Sequence, residues 1–342
     1  MNNAKKQLSS ISSILLNNES SFGEAFQAIK LYKELLQKAT SLDFDQEENR
    51  ENIYTHSGKA IGPTWANLCV DDLQRTRKFC SGLYKAVIEK RKANPNQKTH
   101  VLYAGTGPFA TLILPLTTVF TSSEITFTLL EINTKSFHAL KETLAYFGIE
   151  EYIYGLENVD ATNYILPSKN IDIVVVEAMM FSLKGEHQVP IAYNLIKQLP
   201  CETILIPEDI TLNLLVVNSE RRHTSKISTG SPISYYKRLG TLFKLNKDEI
   251  RQNSNSFFET FPYYEFKETK IEIPINIVQN FNELHVETRI TIFNDEVLEI
   301  DESGLTVLDK IHQFKSMMLP SKFLISQYMC GQNPGLYFRF EN

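Results

Sequence analysis

What this chain has little of narrows its class before any motif is read. Its four cysteines, Cys69, Cys80, Cys201 and Cys330, lie far apart, with no C-x-x-C pair and no histidine at zinc-binding spacing. That excludes a disulfide-built scaffold or a zinc ribbon and points to reduced thiols in a cytoplasmic protein. No apolar run is long enough to span a bilayer. The first one, ISSILL at 11–16, is broken by serine and too short for a secretory hydrophobic region. A cationic excess is missing as well: 35 Lys and Arg stand against 40 Asp and Glu, a formal net charge of −5. Broad nucleic-acid binding normally needs a basic face, so neither a nucleic acid nor a membrane is expected as partner. Hydrophobic residues at 42% and charged residues at 22% are nonetheless ordinary for a packed globular chain of 342 residues.

The organisation follows from periodicity. Phe26, Ile29, Tyr32, Leu35 and Leu36 recur at helical spacing within 23–39, and the polar run DFDQEENREN at 43–52 reads as a surface connection. A single long helix is expected over 64–93, entered after Pro63, and NPNQK at 94–98 breaks it. Strand and helix patterns then alternate. THVLYAG, ITFTLLEI and IDIVVVEAM read as buried strands, PFATLILPLTTVF, TKSFHALKETLAYFG and VPIAYNLIKQL as helices, and ETILIPEDITLNLLVV as holding at least one strand. That order predicts a parallel sheet with helices on both faces. Beyond about 215, segments such as KIEIPINIV, ELHVETRITIF and GLYFRF alternate polar and apolar residues. They predict a mainly antiparallel β module.

The chemistry-bearing residues sit at the predicted strand ends. Gly105 and Gly107, followed by Pro108, occupy the turn after the first strand, where glycine lets the backbone approach a ligand. Glu131 ends the second strand, 26 positions on, placed to accept from two ribose hydroxyls. Asp160, beside Ala161, lies in the loop before the third strand, within reach of an adenine amino group. Together these three features point to a cofactor containing adenosine. No G-K-[ST] follows the glycines, which excludes the Walker motif, and Ala110 stands where a nicotinamide-binding turn has its third glycine. S-adenosylmethionine is the better match.

Three further motifs carry a family resemblance. Glu177 and Glu186 are nine positions apart in VEAMMFSLKGE, Asp72-Leu73-Gln74-Arg75-Thr76 forms a D-x-x-R-T helix start, and Pro207 lies in LIPEDITLNLL. In these the chain, over roughly 50–215, resembles the class I S-adenosylmethionine-dependent methyltransferases, and in particular the protein arginine methyltransferases with their double-E loop. The G-x-G-P turn is closest to the branch that dimethylates symmetrically. The chain departs from the pattern at Tyr103, Val176, Ala178 and Met180, and it has no T-H-W motif; ELHVETRI around His285 is a faint echo.

The resemblance implies a Rossmann-like methyltransferase domain over 96–215. Before it lies an N-terminal helical region (1–95) with a cofactor-covering helix, and after it a β-rich C-terminal domain (216–342). It implies that Arg75 meets the cofactor's methionine carboxylate, with Gly105, Gly107, Pro108, Glu131, Asp160 and Ala161 around the rest. Glu177 and Glu186 would hold a guanidinium or amine, from a small molecule or a peptide side chain, with Tyr54, Trp65, Met179, Phe181 and His187 lining its pocket. A homodimer is expected on the same ground. The alternatives are methyl transfer to oxygen or carbon of a small molecule, and a cofactor-binding scaffold without turnover.

Overall fold

The computed structural model describes residues 3–17, 19–227, 234–314 and 322–342. Two helices open the chain, α1 (Asn3–Leu15) and α2 (Phe22–Lys38), followed by a short hairpin of β1 (Ile53–Thr55) and β2 (Gly58–Ala60). Next come α3 (Pro63–Cys69), α4 (Leu73–Ala93), β3 (Thr99–Ala104), β4 (Ile125–Glu131), α5 (Thr134–Phe147), β5 (Ile153–Asn158), β6 (Ile173–Val176), α6 (Gln188–Lys197) and β7 (Ile204–Ile206). The C-terminal half holds β8 (Asp209–Val217), α7 (Ser219–Ile227), β9 (Tyr236–Asn246), α8 (Lys247–Thr260), β10 (Thr269–Glu272), β11 (Glu283–Phe293) and β12 (Glu296–Leu298). It closes with β13 (Asp309–Gln313), β14 (Phe323–Met329) and β15 (Gly335–Glu341).

The expected parallel sheet is present, in the order β5-β4-β3-β6-β7. The chain starts at the centre with β3, moves out through β4 and β5, then returns to β6 on the other side. The strand order therefore reverses between β3 and β6, and a crevice opens at the carboxyl ends of those strands. Every residue of β3, β4 and β6 is buried, so their apolar runs are dictated by burial on both faces. Antiparallel sheets follow: β12-β11-β8-β9 with β13 on β11, and β10-β14-β15.

Four elements differ from the sequence expectation. α1 was hidden by its serines, yet Ala4, Leu8, Ile11, Ser12 and Leu15 form a buried stripe at helical spacing. The single helix expected over 64–93 is two, because Asp72 leaves the helical conformation to cap α4, its carboxylate accepting from the Arg75 N–H. The segment after Gly107 forms turns and one short 3-10 stretch, Leu114–Thr118, with Ala110 at φ 48° and Pro115 restricting the backbone. Finally, β8 pairs with β9 and β11 in the antiparallel sheet, and the β-rich half also contains α8, capped by Asn246. Among the described residues no helix is long and apolar enough to cross a membrane, and no cluster of three metal-ligating side chains occurs.

Candidate active site

A cavity sits at the carboxyl ends of β3, β4 and β6, and with its open mouth it encloses about 1040 Å³ of atom-free space. Gly105 and Gly107 form its turn, at φ 81° and 58°, where a side chain would strain the backbone. Gly105 has a second reason: a Cβ there would lie 2.8 Å from the Glu177 carbonyl oxygen. The close crossing of two backbones is what brings the glycine turn against the start of the double-glutamate loop.

Glu131 closes one wall. It is 6% exposed, and its carboxylate accepts from the backbone N–H of Gly107 at 2.7 Å and of Asn133 at 2.8 Å. Burial pushes its pKa above the usual carboxylate value, and those hydrogen bonds oppose the rise. Asp160 lines the cavity with its carboxylate fixed by the Thr162 N–H at 2.9 Å, and Ala161 beside it is buried. Pro108 completes that side.

Arg75 and Glu177 meet in the cavity wall. The Arg75 Nη2 donates to Glu177 Oε1 at 2.5 Å, and both side chains are less than 15% exposed. Burial alone would lower the guanidinium pKa, but the adjacent Glu177 carboxylate overrides it and the pKa is raised. Glu186 also lines the cavity, and no hydrogen bond reaches its carboxylate among the described residues. Its pKa is pushed up to about 7 by burial first and the Glu177 charge second, with Arg75 and Lys59 pulling the other way.

The loop that carries both glutamates is tied at many points. Gln188 grips its base, accepting from the Ala178 N–H at 3.0 Å and donating to the Val176 carbonyl at 2.9 Å. Its far turn is held by the Thr288 hydroxyl on the Ser182 N–H, by the Tyr328 hydroxyl on the Leu183 carbonyl, and by a Lys184–Asp309 ion pair. Ser182 and Leu183 take φ of 58° and 51°, positions that non-glycine residues rarely hold without such support. On the other side the β1–β2 hairpin docks: the Lys59 N–H donates to the Gly185 carbonyl at 2.8 Å, and Lys59 and Glu186 are parallel bridge partners. His187 reaches the same hairpin, its Nε2 2.7 Å from the Thr55 hydroxyl. Burial lowers the His187 pKa, opposed by Asp160 and by a hydrogen bond to the Gly58 backbone.

Of the residues singled out from the sequence, Arg75, Gly105, Gly107, Pro108, Glu131, Asp160, Ala161, Glu177, Met179, Glu186 and His187 all line this one cavity. Tyr54, Trp65 and Phe181 stand outside its lining. Tyr54 is 75% exposed on β1, and Trp65 is 43% exposed with its indole N–H on the Arg50 carbonyl. Phe181 has the Lys184 ammonium 5.6 Å above its ring. The β1–β2 hairpin docks on the glutamate loop with Tyr54 exposed to solvent, while Ala66 and Cys69 of α3 line the cavity. Lys59 and Cys69 line the cavity without having been proposed as site residues, and so does Tyr103, noted in the sequence only as a departure from the motif. The docking of the hairpin decides the first of these, and no local motif announces it.

No protein-family model matches the chain, and no curated protein matches it by sequence. Solved structures do. PRMT6–SAH aligns with a TM-score of 0.51 at 9% identity, over 81% of this chain and 99% of that one. The Trypanosoma brucei PRMT1 enzyme–prozyme heterotetrameric complex with AdoHcy aligns at 0.48 and 13% identity, over 80% and 92%. Arabidopsis thaliana protein arginine methyltransferase 10 aligns at 0.48 and 10%, over 79% and 96%. The first of these likenesses places the chain in that fold: a parallel α/β sheet with N-terminal helices and a C-terminal antiparallel β module. At 9% identity it speaks for the fold alone.

Proposed function

We propose that this protein is an S-adenosylmethionine-dependent N-methyltransferase acting on a guanidinium or amine. The observation that supports it best is the convergence of Glu177, Glu186 and Arg75 at the switch point of the sheet, in the cavity that also holds Glu131 and Asp160. The donor set fits the cofactor. Glu131 offers a buried carboxylate to ribose hydroxyls, Asp160 an acceptor to the adenine amino group, and Arg75 a fork for a carboxylate. Ala178 and Met179 supply an apolar floor.

When bound, the cofactor supplies an electrophilic methyl group on a sulfonium. The chain's own part is to bind, orient and take up a proton. Arg75 occupies Oε1 of Glu177 and so fixes the carboxylate plane, leaving Oε2 to accept from the substrate nitrogen. Glu186, ionised by the arrival of a cation, accepts a second hydrogen bond and sets the orientation that a single carboxylate would leave free. Once ionised, its carboxylate also takes the proton that the nitrogen gives up to free the lone pair that bonds to the methyl carbon. The tied loop holds the two acids in place throughout. A homodimer stays part of this reading, with light scattering as its check.

Calorimetry with S-adenosylmethionine and mass spectrometry of a labelled methyl group test the reading. Binding should weaken about 10- to 100-fold in Glu131→Ala, the loss of one or two charge-assisted hydrogen bonds. Glu177→Gln and Glu186→Gln should keep cofactor affinity and lose transfer to amines and guanidines. Wild-type turnover in both variants, or no cofactor binding by the intact protein, would sink the proposal.

A further inference from the structure

Within the cavity most charged groups already have a partner. Arg75 is paired with Glu177, Glu131 is held by two backbone N–H groups, and Asp160 by one. Two residues of the cavity wall have no side-chain hydrogen bond or ion pair among the described residues, Glu186 and the half-buried Lys59, whose charge acts on Glu186 only through space. They do not form an ion pair with each other, although the two residues are bridge partners. A lysine in this position works against a substrate that is only a cation, because like charges repel across a short, partly desolvated gap. It suits a substrate that brings an anion of its own.

We infer that the methyl acceptor is a small zwitterion, an amino- or guanidino-acid, and that Lys59 binds its acidic group while Glu177 and Glu186 hold its basic nitrogen. This rests on the N-methyltransferase reading above. The backbones of paired strands run about 5 Å apart, so Lys59 and Glu186 start from neighbouring points on the cavity wall. An anion and a cation bound between them belong within one small molecule, not on separate residues of an extended peptide. The hairpin position also explains why Gly58 precedes the lysine. Its φ is 135°, and a Cβ there would come within 3.0 Å of the Gly185 carbonyl, so glycine lets the hairpin seat against the glutamate loop. Lys59 is thus delivered to the cavity by the same contact that closes it.

The test compares molecules that differ only in the acid. Initial rates are measured with arginine against agmatine, and lysine against cadaverine, for the wild type, Lys59→Met and Lys59→Arg. The wild type should favour the carboxylated member of each pair by about 10- to 100-fold in kcat/KM, the effect of one charge-assisted hydrogen bond. In Lys59→Met that ratio should collapse toward one, through KM on the carboxylated member, and Lys59→Arg should restore part of it. Equal losses on both members would mean that Lys59 acts only on Glu186, and would overturn the assignment. So would a wild type with no preference, or one that prefers an acidic peptide to the free amino acids. Calorimetry of the AdoHcy-loaded protein reads the same preference without turnover. Binding selectivity that depends on Lys59 without any methyl transfer would defeat the N-methyltransferase reading and leave Lys59 as an anion site. Transfer that ignores Lys59 would do the reverse.

Discussion

Glu186→Gln should make the protein more stable while removing its activity. A carboxyl group ordinarily titrates at 4.5, and Glu186 in the folded protein is raised to about 7, chiefly by burial. Between those values the folded chain binds a proton at this site that the unfolded chain has released. Stability from this group is therefore fully present below 4.5 and is lost as pH rises to about 7, beyond which the deficit is constant. At about 1.36 kcal/mol per pH unit, the span from 4.5 to about 7 amounts to roughly 3 kcal/mol above neutrality. Glutamine has nearly the same shape and never ionises, so the variant escapes that penalty. For a chain of this length unfolding as one unit, the gain corresponds to about 5 °C in Tm at pH 8.5. Thermal unfolding of both proteins at pH 8.5 and pH 4.5 is the assay. The difference should be positive at the higher pH and vanish at the lower one, where the native carboxyl is neutral too. Equal Tm values at pH 8.5, or a difference that grows toward pH 4.5, would refute the reasoning. The same group sets an activity profile: kcat/KM for a cationic acceptor should rise about tenfold per pH unit below 7 and flatten above it.

Arg75→Met leaves Glu177 buried without its partner, and kcat/KM should fall by about two to three orders of magnitude, read by steady-state kinetics. Asp72→Ala removes the N-cap of α4 together with two bonds to the β-rich half, from the Ser303 hydroxyl at 2.6 Å and the Gly304 N–H at 2.7 Å. Urea denaturation should show a loss of about 2–4 kcal/mol, and Asp72→Asn a smaller one. Gly105→Ala places a Cβ 2.8 Å from the Glu177 carbonyl at a φ of 81°. It should cost roughly 1–3 kcal/mol of stability and abolish methyl transfer, because the crossing of the two loops must widen; retained wild-type turnover would contradict that geometry.

Some of this was legible in the residues because the signals are local. Apolar runs of four to seven residues between turn formers marked β3, β4 and β6, since strands buried on both faces have no reason to alternate. Glu131, Gly105 and Glu177 were legible for a related reason: in a parallel sheet, residues at the carboxyl ends of strands share one rim wherever they fall in the chain. The serine-rich α1 and the break at Asp72 were not, because a helix face can be completed by small polar residues and a cap is visible only once the backbone direction is known. The aromatic candidates Tyr54 and Trp65 could not be placed at all by pattern. Their exposure depends on how 50–65 folds back, and an aromatic side chain serves equally on either side of a hairpin.

By itself, then, the sequence determined the period of each buried strand, the glycine turn and the set of acids that strand ends would present. All of these follow from short-range geometry and burial. Only the tertiary structure decided that Arg75, 102 positions before Glu177, would neutralise it, that no described residue would hydrogen-bond or ion-pair with Glu186, and that Lys59 would stand beside it on the cavity wall. The physical reason is that charge, unlike periodicity, has meaning only with a distance and a dielectric attached. Both are set when the hairpin, the glutamate loop and the C-terminal sheets close around the same space.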